Sequence, residues 1–108
     1  MCAAKEIGAL SKAGMKAMAE GNYMNAEFMM HQALRRAEKL GVDTYTAKLK
    51  NNFGIILNLQ GRRKEAACYF SDALNTITHT IGTENKLYRV IQANLEDVNA
   101  VQSHHTQQ

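Results

Sequence analysis

The chain has 108 residues, a formal net charge of +3, seven glycines, two cysteines and neither proline nor tryptophan. That length suits one hydrophobic core, and the weight of Ala, Leu, Met, Lys, Glu, Asn and Gln over β-branched and aromatic residues predicts an all-α fold rather than a sheet. Cys2 and Cys68 lack any paired spacing, which sets aside a disulfide framework or zinc site, and no stretch approaches the roughly 18 apolar residues of a membrane span or the pattern of a secretory leader.

Apolar periodicity predicts helices over 3–20, 24–40, 44–60, 64–80 and 85–102, joined by short turns. Asn22 and Asn25 offer caps to the second helix, Asp43 or Thr44 to the third, and Thr83 or Glu84 to the fifth, as acceptors for unpaired amides at helix starts. Gly41 and Gly82 are predicted stops for the second and fourth helices. The segment 103–108, ending His-His-Thr-Gln-Gln, lacks apolar spacing and is expected to be a disordered tail.

An internal repeat organises these helices. Gly21, Ala26, Met30, Ala33 and Leu34 recur without a gap as Gly61, Ala66, Phe70, Ala73 and Leu74, and Ala13, Gly14 and Ala17 recur as Phe53, Gly54 and Leu57. Gly21 and Gly61 fall where one amphipathic helix ends and the chain reverses, so the unit is a helical hairpin. Gly14 and Gly54 sit inside helices, where glycine costs roughly 1 kcal/mol against alanine, so close approach of the paired helix is expected there.

These residues resemble the tetratricopeptide repeat family, over about 7–40 and 47–80. The longer period resembles the variant of kinesin light chains, with Leu40-Gly41-Val42-Asp43, Asn51-Asn52, Gln60-Gly61 and Glu65-Ala66 in order, and Ile81-Gly82-Thr83-Glu84 followed by Asn94-Leu95 opening a third copy. The chain departs from the family where Leu10 and Lys50 replace an aromatic residue, and it has no repeat-closing proline. The resemblance implies a single domain over 1–102: a short right-handed solenoid of two repeats, closed by a capping helix over 85–102.

It also implies that the first helices line a concave groove that takes a protein or peptide partner. The groove residues are then Ser11, Met15 and Met18 from the first helix, Asn51, Asn52, Ile55 and Asn58 from the third, and Asn94 and Asp97 from the fifth. Asparagine amides both donate and accept, which suits the backbone of an extended ligand, although Asn51 and Asn94 serve equally well to satisfy neighbouring helices. In the family subtype that clamps a terminal carboxylate, Asn52 matches the middle asparagine. Ser11, Met15, Val90 and Asn94 stand where the other clamp residues, several of them basic, would be, so a more neutral groove is expected, with methionines that adapt to apolar side chains.

Other classes find less support. No Gly-rich phosphate loop, His-x-x-x-His pair or paired-carboxylate constellation appears, and only Cys68 with His31 offers a catalytic couple, so neither an enzyme nor a cofactor is expected. His79, near a helix C-terminus, suits the helix dipole better than a metal. Cations alternate with acids, as in Arg35-Arg36-Ala37-Glu38-Lys39, so no nucleic acid is expected. The basic start Gly61-Arg62-Arg63-Lys64 keeps a small DNA-binding regulator as one alternative. A homo-oligomer formed through the stack ends or the fifth helix is the other. The overall expectation is a non-catalytic cytoplasmic adaptor without membrane contact.

Overall fold

The computed structural model describes residues 3–106, with side chains described to residue 100. Five α-helices follow one another: α1 (Ala3–Ala19), α2 (Tyr23–Leu40), α3 (Asp43–Leu59), α4 (Arg63–Thr80) and α5 (Lys86–Thr106). No strand occurs among the described residues. Helix α5 continues past the expected end at 102, since neither glycine nor proline follows Gly82 to stop it. Cys2 and the last two positions of the predicted tail lie outside the described residues.

The turns show why the chain doubles back. At the end of α1, Asn22 N–H donates to the Ala17 carbonyl at 2.8 Å and Gly21 N–H to Met18 at 3.0 Å. At the end of α3, Arg62 N–H donates to Leu57 at 3.0 Å and Gly61 N–H to Asn58 at 3.0 Å, the same paired closure forty residues on. Both glycines have φ of 80°, in the left-handed region that a Cβ disfavours.

The caps match expectation in part. Asn22 accepts from Asn25 N–H at 3.4 Å, and Gly41 closes α2 at φ 77°. Neither Asp43 nor Thr44 caps α3: Val42 holds the cap position without a side-chain bond, and Asp43 lies one residue inside, where its charge faces the helix dipole. Asn85, not Thr83 or Glu84, caps α5, accepting from Tyr88 N–H at 2.7 Å and donating to the Gly82 carbonyl at 2.9 Å.

Consecutive helices pack as antiparallel neighbours, most closely α1 with α2 and α3 with α4. The core is one cluster, with Ile7 and Ala17 of α1, Ala26, Met30 and Ala33 of α2, Phe53, Ile56 and Leu57 of α3, Ala66, Phe70 and Ile77 of α4, and Ile91 and Val98 of α5. Small residues on α2 and α4 admit the close approach expected of Gly14 and Gly54, whose Cα atoms face Met30 and Phe70.

Two layers follow from which helices touch. The backbones of α1 and α3, and of α3 and α5, come together, whereas those of α2 and α4 do not among the described residues. Helices α1, α3 and α5 therefore form a close-set inner layer, and α2 and α4 are splayed on the outside. Buried Ile91 and Val98 lie forty-two residues beyond buried Leu49 and Ile56, so α5 repeats the role of α3. Gly54, which receives Phe70 of α4, and the buried Ala47 and Leu57 of α3 become Glu96, Arg89 and Asn99 on α5, all exposed. The far side of α5 is therefore polar and faces solvent.

Candidate functional site

The inner layer carries most of the side chains singled out from the sequence. Asn51 and Asn52 are consecutive on α3 and so point about 100° apart. Asn52 Nδ2 donates to Ser11 Oγ of α1 at 3.2 Å, and Asn94 Nδ2 of α5 donates to Asn51 Oδ1 at 2.9 Å. These bonds repeat: Asn51 stands forty residues after Ser11 and Asn94 forty-two after Asn52, so each inner helix reaches back to its predecessor with an asparagine amide. Asn51 is only 6% exposed, and its side chain joins α3 to α5 rather than facing solvent. Burial demands that partner.

Between the two rungs, α3 turns its open face outward. Helical spacing groups Lys48, Ile55 and Leu59 there, with Lys48 exposed, Ile55 half-buried and Leu59 53% exposed. On α5, exposed Val90 and Asp97 lie one turn to either side of Asn94. On α1, half-buried Met15 and Met18 follow Ser11 at helical spacing and pack on the core edge. Asn58 is half-buried at the end of α3, where its backbone carbonyl receives Gly61 N–H.

The face is thus an apolar strip of Met15, Ile55, Leu59 and Val90, crossed by two amide rungs and edged by Lys48 and Asp97. Lys48 and Leu59 were not among the groove residues expected from the sequence, and Val90 was expected there only as the occupant of a clamp position. The helical positions 48, 55 and 59 share one face and held the missing signal.

The outer layer is built differently. Phe53 of α3 takes His31 of α2 edge-on, with centroids 4.5 Å apart, and stacks on Tyr69 of α4 at 4.7 Å and 6° between planes. Burial in this stack, with Glu65, Asp72 and Glu38 nearby, pushes the Tyr69 phenol above its ordinary value. His31 is thus engaged by an aromatic edge, and Cys68 lies exposed on α4 as a free thiol.

Arg62 donates to Glu65 at 2.6 Å and to Glu27 at 3.0 Å, and Gln60 Nε2 donates to Glu27 at 2.9 Å, which ties the start of α2 to the α3–α4 turn. The bond to Arg62 holds the Glu65 carboxyl below its ordinary value. One cation of the basic start Gly61-Arg62-Arg63-Lys64 is therefore engaged within the chain, and α4 uses Ala66, Phe70, Ala73 and Ile77 for the core.

Near the C-terminal ends of α2 and α4 lies an open cavity of about 610 Å³, with Glu38, Asp43, Lys50 and Asp72 on its walls. Lys50 pairs with Asp72 at 3.8 Å. His79, also on its wall, spends Nδ1–H on the Asn75 carbonyl of its own helix at 2.8 Å. No group of three or more His, Cys, Asp or Glu side chains among the described residues is placed to hold a metal ion. Among the described residues no helix is long and apolar enough to cross a membrane. No protein-family model matches the chain, and no curated protein matches it.

Proposed function

We propose that the chain is a non-catalytic binding module of tetratricopeptide type, a short right-handed solenoid that takes a peptide or partner protein across the face of α1, α3 and α5. The observation that carries this reading is the exposure of Leu59 and Val90 beside half-buried Met15 and Ile55 on the inner layer. Three helices held in register by asparagine rungs present these side chains as one surface. A rigid apolar strip of this kind loses little entropy on binding. The rungs also leave the Asn52 and Asn94 carbonyl oxygens for a ligand's backbone amides.

Panning a displayed peptide library against the folded protein, then measuring the selected peptides by calorimetry, tests the reading. Leu59→Asp and Ile55→Asp should abolish binding, and Cys68→Ser on the outer layer should leave it unchanged. Peptides that bind the Leu59→Asp protein as well as the parent would refute the inner-face assignment.

A further inference from the structure

The outer ridge of α2 carries a pattern that neither the fold nor the inner face accounts for. Met24, Phe28, Arg35 and Lys39 recur at helical spacing along one side of the helix, over about 22 Å. Met24 is 84% exposed and Phe28 63%, the two most exposed large apolar side chains among the described residues. Arg35 and Lys39 are exposed on the same ridge, beside an open cavity of about 630 Å³ that they line with Gln32, Arg36 and Glu38.

The second copy of the repeat is an internal control. Helix α4 packs against its partner in the same way with Lys64, Cys68, Asn75 and His79 at the matching positions. Packing of an outer helix therefore does not require the stripe of α2. An exposed apolar pair with a reason elsewhere marks a contact surface.

The geometry and charge select the occupant. Met24 and Phe28 stand out from the helix without walls of their own, so the partner must itself receive them. Its cations call for a negative partner. A bilayer surface meets both needs, taking bulky side chains into the headgroup boundary and drawing basic residues to acidic lipid.

We propose that the α2 ridge docks on anionic membrane surfaces, with Met24 and Phe28 inserted and Arg35 and Lys39 against the headgroups. This departs from the sequence expectation of no membrane contact, which rested on the lack of a spanning segment. It is independent of the inner-face reading, because the two surfaces lie on opposite layers.

The full chain should be sedimented with vesicles of phosphatidylcholine alone and with an equal mixture of phosphatidylcholine and phosphatidylserine, at low and high salt. Binding is expected only to the mixed vesicles and to fall with salt. Arg35→Gln with Lys39→Gln should lower partitioning about 30-fold, and Met24→Ser with Phe28→Ser should remove it. Circular dichroism should be unchanged in both pairs, since all four side chains are exposed, and Cys68→Ser should bind as the parent does. A chain that stays in the supernatant with both vesicles, or variants that sediment like the parent, would overturn the proposal. Retention on an acidic peptide column without vesicle binding would also overturn it, assigning the ridge to a protein partner.

Discussion

Gly54 lies directly under the ring of Phe70: a Cβ built on it would stand 2.5 Å from Phe70 Cε1 and 2.8 Å from Cδ1. The matching pair in the first copy is looser, with a Cβ on Gly14 meeting Met30 Cε at 3.3 Å and the Ala26 carbonyl oxygen at 3.4 Å. Alanine in place of a mid-helix glycine gains roughly 1 kcal/mol in helix propensity. At position 54 the overpacking cost of about 1–3 kcal/mol opposes that gain, because a buried aromatic ring held by its neighbours cannot yield. At position 14 the flexible end of a methionine yields by a few tenths of an ångström. Gly54→Ala should therefore destabilise the protein and Gly14→Ala leave it unchanged or more stable, as read by urea unfolding. Adding Phe70→Met to Gly54→Ala should recover part of the loss. Equal effects at the two glycines would mean that the ring is not what fixes residue 54.

The same pair shows what the sequence disclosed. Two interior glycines forty residues apart, each opposite a large apolar residue in the next helix, are enough to infer close packing, and helix ends follow from the turn glycines. Capping was less legible. Asn85 outcompetes Thr83 and Glu84 for α5 because a short bend precedes the helix, and the length of a bend is not written in residue type. The face of α1, α3 and α5 was legible only in outline. Family-like positions pointed to Asn51, Asn52 and Asn94, but the bond from Asn94 to buried Asn51 depends on the angle between α3 and α5, which no local pattern reports. Leu59 lies outside the family-like positions, yet its spacing of four from Ile55 and eleven from Lys48 puts it on the same face of α3.

The asparagine rungs predict a division of labour. Asn51→Ala removes the acceptor of the part-buried Asn94 amide and should cost about 1–3 kcal/mol in chemical unfolding. Asn52→Ala should cost about 0.5–1.5 kcal/mol, since it breaks the bond to Ser11 without stranding a deeply buried group. Helix content by circular dichroism should survive both changes. If Asn52→Ala also weakens a selected peptide when measured well below the unfolding transition, its amide belongs to the ligand as well as to the stack. Affinity that follows stability alone would confine it to the stack.

Gly61 isolates the backbone term, because a Cβ there would meet nothing within 4 Å and only its φ of +80° resists substitution. Asparagine tolerates that conformation better than alanine, and valine least of all. Stability should fall in the order Gly61, Asn, Ala, Val, with valine about 1–2 kcal/mol or more below the parent. Ala66→Asp puts a carboxylate at a position with no exposed surface and should leave the chain unfolded or nearly so. A thermal scan of the set distinguishes the two causes: insensitivity at Gly61 to side-chain identity would mean that the turn re-forms with another geometry.

Tyr69 gives a pH dependence with a definite sign. Burial against Phe53, then the charges of Glu65, Asp72 and Glu38, raise its phenol above the ordinary value of 10.0. The folded protein thus holds this proton more tightly than the unfolded chain does. The resulting stability is complete below pH 10 and is lost as the pH rises through the folded-state value. Tyr69→Phe keeps a ring stacked on Phe53 and removes the titration, so its urea midpoint should fall less steeply with pH in the alkaline range. The difference between the ultraviolet titrations of the parent and Tyr69→Phe reports the one phenol directly. A midpoint at or below the ordinary tyrosine value would show that the ring is solvated, and would undo the account of the outer aromatic stack on which this shift depends.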